Sequence, residues 1–271
     1  MRLIKPSFEI IEQEPGLEGI YKAIELAGRN CYKSESNIKE GSAKEFVDRM
    51  VKSKHLAMCE HGTVYLKNEN TDSNELSKYI NNKYSIYKNK YIGKKIFQSD
   101  IDYYSEYITT NYRCLVENNW LDDLQYLCDP TEFHERRVTV RFILPIGISR
   151  EFCRHRVFSF AEQSTRYCNF SSDKFNNELT FIEDNWCDEE LLRQIEYWYI
   201  NSYLKPQEKR NMLPLCTKTE LVMTGFVSDW EHFFLCRSHI AHTGKPHPQA
   251  QELADPLMDE FIRRGLIESL L

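Results

Sequence analysis

The sequence has no excess of positive charge and no long apolar run. It contains 35 Lys and Arg residues against 41 Asp and Glu residues, a formal net charge of −6, whereas nonspecific nucleic-acid binders are normally basic. No run approaches the 18 apolar residues of a membrane-spanning helix, and the opening Met-Arg-Leu-Ile-Lys-Pro is not a signal-peptide apolar region. We therefore expect a cytoplasmic protein with neither a membrane nor a nucleic-acid partner.

Two sequence motifs are also missing. The nine cysteines are scattered, odd in number and without a Cys-x-x-Cys pair, which favours free thiols in a reducing compartment over a disulfide framework. No Gly-x-Gly-x-x-Gly fingerprint occurs, so a dinucleotide site here would not be of the Rossmann type. The 271 residues are enough to bury a sizeable core as one large domain or two small ones.

Hydrophobic periodicity predicts a mixture of strands and helices. Residues 7–12 and 136–144 read as strands, and residues 16–29 place apolar side chains at helical spacing. The apolar run at 219–227 fits either a strand or a buried helix. Helix starts are predicted at Ser149, at Asp188, at the capping boxes Ser42-x-x-Glu45 and Ser228-x-x-Glu231, and at His247-Pro248-Gln249.

The segment at about 68–136 differs from its surroundings in being dominated by Asn, Lys, Ser, Asp and Tyr. We read 101–118 and 120–127 within it as helices with tyrosine-rich faces, and the whole segment as a helical insertion between two neighbouring strands. The fold expected for residues 1–271 is therefore a single α+β domain. In it, helices pack on a short twisted mixed sheet and carry this helical insertion.

The most informative stretch is 154–167, which reads Arg-His-Arg-Val-Phe-Ser-Phe-Ala-Glu-Gln-Ser-Thr-Arg-Tyr. Arg154, His155 and Arg156 are consecutive, so a helix could not point all three the same way. They suit a site where several anionic groups arrive from different directions, because an arginine fork bonds phosphate bidentately. The alternative is a solvated basic turn. The neighbouring Phe152 and Phe158 argue against full exposure, because they would carry the arginines into partly buried surroundings.

This stretch resembles the signature of the flavin-dependent thymidylate synthases. The match consists of the Arg-His-Arg triplet, Glu162, Ser164 and the pair Arg166-Tyr167. The resemblance implies reductive methylation of dUMP to dTMP, with methylenetetrahydrofolate as one-carbon donor and FAD, reduced by NADPH, as hydride source. It also implies a homotetramer whose active sites gather residues from more than one subunit, and a flavin site that is not of the Rossmann type.

The resemblance also implies roles for individual residues. Arg237 would be catalytic, facing the uracil ring. The cofactor-binding residues would be His55, Ala57, Arg154, His155, Arg156, Glu162, Ser228 and His232. The substrate-binding residues would be Glu151, Arg154, Glu162, Gln163, Ser164, Thr165, Arg166, Arg210 and Arg237.

Three of these positions depart from the family pattern. Glu151 stands where some relatives have a glutamine, His232 where some have an asparagine, and Ala57 where a hydroxyl residue is usual. The histidine-rich stretch 55–61 fits no common zinc spacing, and the one at 239–247 is interpreted as a helix C-terminus followed by a polar loop. We therefore expect no metal, and we expect Glu60 and His61 to tie their turn down structurally.

Two other functions remain open at this point. The first is a methyltransferase with a cysteine nucleophile, which needs a thiol of low pKa near a cation; Cys153, next to Arg154, is the candidate. The second is a noncatalytic nucleotide- or RNA-binding protein that uses the 154–166 basic stretch. It predicts no flavin, and binding that weakens steeply with salt.

Overall fold

The computed structural model describes residues 1–71, 75–94, 102–184, 187–242 and 244–269. The chain divides into two compact units. The first unit comprises Met1–Ile11, Gly28–Ser36 and Thr139–Leu271, and the second comprises Glu12–Ala27 and Asn37–Val138. Within the described ranges, no helix is both long enough and apolar enough to cross a membrane.

The strands and helices follow one another in mixed order along the chain. The strands are β1 (Arg2–Ile4), β2 (Ser7–Ile11), β3 (Thr63–Thr71), β4 (Ile86–Lys94), β5 (Asp102–Asn111), β6 (Arg137–Pro145), β7 (Ser159–Glu162), β8 (Thr180–Ile182) and β9 (Lys218–Phe226). The α-helices are α1 (Gly16–Asn30), α2 (Ser42–Lys52), α3 (Tyr112–Asn118), α4 (Ile146–Phe152), α5 (Glu189–Asn201), α6 (Pro206–Lys209), α7 (Val227–Arg237) and α8 (Pro248–Arg263). The expected α+β class is confirmed.

A four-stranded sheet in the order β2-β6-β9-β7 forms the scaffold of the first unit. β6 pairs antiparallel with β2, and β7 pairs antiparallel with β9. Buried and half-buried residues alternate along most of β6, as its period of two predicts. The open question at 219–227 is settled in favour of a strand, and residues 219–225 of β9 are all buried, as in a strand covered on both faces.

An aromatic cluster packs α7 into the core of the first unit. Trp230, Phe233 and Phe234 are fully buried. The ring of Phe158, which lies just before β7, sits 4.7 Å from that of Trp230, and the ring of Phe152 from α4 lies 4.9 Å from that of Phe233. The segments on either side of the Arg-His-Arg triplet are thus anchored to the helix that ends in Arg237.

The second unit contains an antiparallel sheet in the order β3-β5-β4. The prediction of a helical insertion at 68–136 is therefore wrong for residues 86–94 and 102–111, which are strands. Tyr, Ile and Thr predominate in the later part of β5, and such residues favour a pleated, half-buried surface. Of the helices predicted at 101–118 and 120–127, only 112–118 is α-helical, and 121–126 is a short 3-10 helix.

The helix caps only partly match the sequence prediction. Asp188 caps α5 by accepting from Leu191 N at 3.1 Å, and His247 precedes α8, both as predicted. Ser42 instead lies inside α2, where its hydroxyl contacts the Glu25 carboxylate at 2.8 Å. Ser228 lies one residue inside α7, whose first turn is closed by the Asp229 carboxylate accepting from Phe226 N.

Candidate active site

A pocket of about 500 Å³ opens at one end of the four-stranded sheet in the first unit. That volume is in the range of small-molecule sites. Five residues expected to bind substrate line it: Glu162, Gln163, Ser164, Thr165 and Arg210. The sequence prediction missed five others: Ile146, Arg150, Asn211, Leu213 and Leu215. Arg150 could have been suspected, since it lies four residues before Arg154.

Three segments line this pocket: residues 146–150, residues 162–165 and residues 210–215. β6 ends at Pro145 and leads directly into α4, which carries Arg150 on its exposed side. After α4 the chain returns through the Arg-His-Arg loop to β7, whose last residue is Glu162. Residues 159–162 therefore form a strand and not a loop. The turn after β7 is held by Ser164 N, which donates to Cys31 O at 2.9 Å.

Glu162 is the carboxylate of the pocket, and a buried hydroxyl positions it. Ser149, predicted as a helix cap, lies inside α4 with no exposed surface, and its hydroxyl donates to Glu162 Oε1. Burial raises the pKa of Glu162, while the hydrogen bond from Ser149 and the charge of Arg150 act to lower it. Glu162 can thus accept hydrogen bonds when ionised or donate one when protonated.

Gln163 is buried behind the rim of the pocket. Its amide oxygen accepts from Lys218 Nζ at 3.2 Å, and Lys218 also pairs with Glu220. Lys33 reaches the same Glu220 carboxylate at 2.6 Å. These two ammonium groups hold the pKa of Glu220 below its usual range against the opposing effect of burial. The contacts among Lys33, Lys218 and Glu220 thus hold Gln163 in place behind the rim of the pocket.

Arg237 at the end of α7 is held by three hydrogen bonds. Its Nη1 donates to Glu151 Oε2 at 2.6 Å, its Nη2 donates to Glu151 O at 3.0 Å, and its Nε donates to His155 Nε2 at 3.1 Å. The structure therefore brings together three residues that the sequence assigned separately to catalysis, substrate and cofactor.

His155 is neutral in this arrangement. Its Nε2 accepts from Arg237, so the ring can carry its proton only on Nδ1. Burial, then the charge of Arg237 and the nearby His232, lower the pKa of His155 to about 4. At neutral pH, His155 therefore adds no charge to the Arg237–Glu151 ion pair.

The side chains of Arg154 and Arg156 point away from the core and are exposed. Across the described ranges, neither guanidinium forms an ion pair. Ser228 and His232 on α7 are also exposed, and the His232 ring lies 6.2 Å from that of His155. Two unpaired guanidinium groups next to a neutral imidazole suit the diphosphate and ring system of a flavin dinucleotide. Arg166 is exposed as well, with its guanidinium 5.2 Å from the Tyr167 ring centroid.

His55 and Ala57 belong to the second unit, where both are exposed in a turn before a short 3-10 helix. Their assignment to the cofactor remains a prediction. Glu60, in that helix, pairs with Arg113 at 2.6 Å, which is the structural role expected for it. Among the residues that the structure describes, no three His, Cys, Asp or Glu residues are grouped so as to hold a metal ion.

Cys153 does not have the surroundings of a nucleophile. Burial and the neighbouring Glu162 carboxylate raise the pKa of its thiol to about 11. A nucleophilic cysteine needs a depressed pKa. The environment of Cys153 therefore disfavours the cysteine-nucleophile alternative.

The pocket combines two arginines, a carboxylate and two hydroxyls, a set of side chains suited to an anionic ligand. The profile of the family described as "Thymidylate synthase complementing protein" matches residues 117–264, more than half of the sequence. The chain belongs to this family, which confirms the resemblance to the flavin-dependent thymidylate synthases. A comparison with curated proteins found no match.

The solved structures similar to this one match it at low sequence identity. One is the thymidylate synthase ThyX of Helicobacter pylori with FAD and dUMP, 15% identical, with a TM-score of 0.43 over 98% of this chain and 99% of that chain. Another is the UMP/dUMP methylase PolB of Streptomyces cacaoi bound with 5-Br dUMP, 14% identical, with a TM-score of 0.41 over 97% and 93% of the two chains.

Proposed function

We propose that this FAD-dependent enzyme converts dUMP to dTMP, taking the one-carbon unit from methylenetetrahydrofolate and its reducing equivalents from NADPH. The proposal rests on two features that occur in the same compact unit. One is a pocket lined by two arginines and a carboxylate, and the other is the guanidinium of Arg237, which is hydrogen-bonded to Glu151, the residue next to Arg150 of the pocket. Family membership indicates the class of reaction, and the positive charges of the pocket indicate an anionic substrate.

Different side chains of the pocket suit the phosphate, the sugar and the base of a nucleoside monophosphate. Arg150 and Arg210 line it and supply two positive charges for the phosphate. Ser164 and Thr165 line it too, and their hydroxyls can donate to phosphate or sugar oxygens. Glu162 supplies an acceptor for a sugar hydroxyl or an N–H of the ring. This division explains a local arginine surplus in a protein whose net charge is −6.

Arg237 is the residue to which we assign catalysis. Methylation joins the one-carbon unit to C5 of uracil, the C5 proton leaves, and a hydride completes the methyl group. Before these bonds form, negative charge must build up over N3 and the adjacent carbonyl to activate the ring for attack, and a fixed guanidinium stabilises that charge. Such preorganised donors typically contribute a few kcal/mol each. The neutral His155 accepts from Arg237 and adds no competing charge.

The flavin would be held by Arg154, His155, Arg156, Ser228 and His232. When bound, FAD supplies the hydride. The arginines neutralise its diphosphate, and the Nδ1–H of the neutral His155 remains available as a donor. Held in this way, the cofactor needs no glycine-rich dinucleotide turn.

The first test is the visible absorption spectrum of the purified protein with FAD, recorded anaerobically before and after NADPH. We expect protein-bound flavin bands that bleach on reduction. The double variant Arg154→Ala/Arg156→Ala should lose flavin, while Arg193→Ala, which removes an exposed arginine on α5, should keep it. A protein that takes up no FAD would overturn the proposal and favour the noncatalytic nucleotide- or RNA-binding alternative.

We also propose that the enzyme is a cytoplasmic homotetramer with shared active sites. Light scattering on the purified protein should give the mass of four copies of the 32.3-kDa chain. If His55 of one subunit completes the site of another, an Arg237→Ala chain and a His55→Ala chain should together regain activity when coexpressed. A monomeric mass with full activity would contradict this part of the proposal.

A further inference from the structure

Glu151 lies at the end of α4, and both of its oxygen-bearing groups face Arg237. Its carboxylate accepts from Nη1 at 2.6 Å and its backbone carbonyl accepts from Nη2 at 3.0 Å, across 86 residues of sequence. The side chains are only 16% exposed for Arg237 and 27% for Glu151. The resemblance assigned Glu151 to the substrate, yet this carboxylate is already engaged by the catalytic arginine.

The pair fixes the direction of the guanidinium and not only its charge. A guanidinium carries five N–H donors in one rigid plane. One donor on each of its three nitrogens is bonded, two to Glu151 and one to His155, so the plane can neither rotate nor slide. At most two donors are left for a ligand, and their direction is set before the ligand arrives.

This restraint matters because arginine is long and mobile. Ordering its side chain costs rotamer entropy, and a displacement of about 1 Å from the reactive geometry can lower a rate by about 100-fold. Glu151 removes both losses before substrate binds. A carboxylate that instead bound the nucleotide directly would stand next to its phosphate and repel it.

We propose that Glu151 is a positioning residue, which orients Arg237 through its carboxylate oxygen and does not bind the nucleotide itself. The inference rests on the proposed function, in which Arg237 acts on the uracil ring. The essential feature is an acceptor oxygen at this distance from Nη1. A glutamine offers the same oxygen at the same reach without the charge, whereas an alanine offers none.

The test compares Glu151→Gln and Glu151→Ala with the wild-type holoenzyme. The control is Glu231→Ala, which removes a partly exposed glutamate from the helix that carries Arg237. Three quantities are measured for each protein: kcat for dTMP formation per bound flavin, the dUMP dissociation constant, and the pH titration of His155 by NMR. The third readout does not depend on activity.

For Glu151→Ala we expect kcat to fall about 10-fold or more while the dissociation constant of dUMP stays within about threefold. The pKa of His155 should rise, because the loosened Arg237 no longer acts on it so closely. Glu151→Gln should restore kcat to within about threefold of wild type, and Glu231→Ala should match wild type. If Glu151 had only a structural role, its replacement by alanine would lower flavin occupancy, and it would not lower kcat selectively while leaving dUMP affinity unchanged.

Three results would overturn the inference. One is unchanged kcat in Glu151→Ala, another is equal loss in the glutamine and alanine variants, and the third is a weakened dUMP affinity at normal kcat, which would make Glu151 a substrate ligand. If the wild-type protein forms no dTMP, the proposed function fails instead. The His155 titration then still decides whether Glu151 holds Arg237.

Discussion

The hydroxyl of Ser149, buried inside α4, donates a hydrogen bond to the carboxylate of Glu162 at the end of β7. This bond joins the two segments that flank the Arg-His-Arg loop. Ser149 does not line the pocket, whereas Glu162 does. The protonation of the pocket carboxylate is therefore influenced by a residue that no ligand touches.

Replacing Ser149 should change the titration of Glu162. Burial already raises the pKa of this carboxyl, and the Ser149 hydrogen bond opposes the shift. Ser149→Ala should raise that pKa further, so that the protonated form persists to higher pH. A carboxyl whose pKa is raised in the folded protein stabilises the folded state at low pH, and this stabilisation is lost as the pH rises. The free energy of unfolding of Ser149→Ala should therefore fall more than that of wild type as the pH rises. NMR of labelled glutamate measures the shift, with Ser53→Ala as a control at an exposed site.

Removing either pocket arginine should weaken binding of the phosphate selectively. We expect Arg210→Ala and Arg150→Ala each to raise the dissociation constant of dUMP by about 10- to 100-fold, since a charge-assisted hydrogen bond contributes roughly 1.5–3 kcal/mol. Affinity for the nucleoside deoxyuridine should be unchanged. Calorimetry compares the two ligands, with Arg193→Ala as control. Equally weakened binding of both ligands would show that these arginines do not contact the phosphate.

The neutral state of His155 predicts an acid-sensitive fold. Its pKa is lowered to about 4 in the folded protein, so between the normal value of 6.5 and 4 the unfolded chain binds a proton that the folded chain does not. Stability should therefore fall as the pH drops through this window, by about 2 kcal/mol between pH 7 and 5 for this one group. Denaturant unfolding at both pH values measures it. The loss should shrink in His155→Asn and persist in His242→Asn, an exposed site.

Gly225 on β9 lies against the ring of Phe158. A Cβ at this position would stand 2.4 Å from two ring carbons, so Gly225→Ala must displace the ring from its contact with Trp230. We expect a loss of about 1–3 kcal/mol of stability from overpacking. Gly147→Ala is the matched control, because its Cβ would meet Leu215 at an ordinary 3.5 Å. Equal unfolding temperatures for the two variants would contradict this account.

The sequence predicted those features that repeat or that lie close together along the chain. The periods of β6, α1 and α8 were sufficient to place them, and the 154–167 stretch contained enough charged positions to mark the site. The strands at 86–94 and 102–111 were missed because tyrosine-rich polar segments carry no clear period, and pairing of distant strands decides their structure. The contact between Glu151 and Arg237 could not be found, because no local pattern encodes a contact across 86 residues.

The most direct test of the central claim is dTMP formation by the FAD-loaded protein supplied with dUMP, methylenetetrahydrofolate and NADPH. The account predicts product that depends on all three, and a kcat about 100- to 1,000-fold lower in Arg237→Ala with flavin still bound. A flavin-loaded wild-type protein that makes no dTMP, or an Arg237→Ala variant as active as wild type, would contradict it.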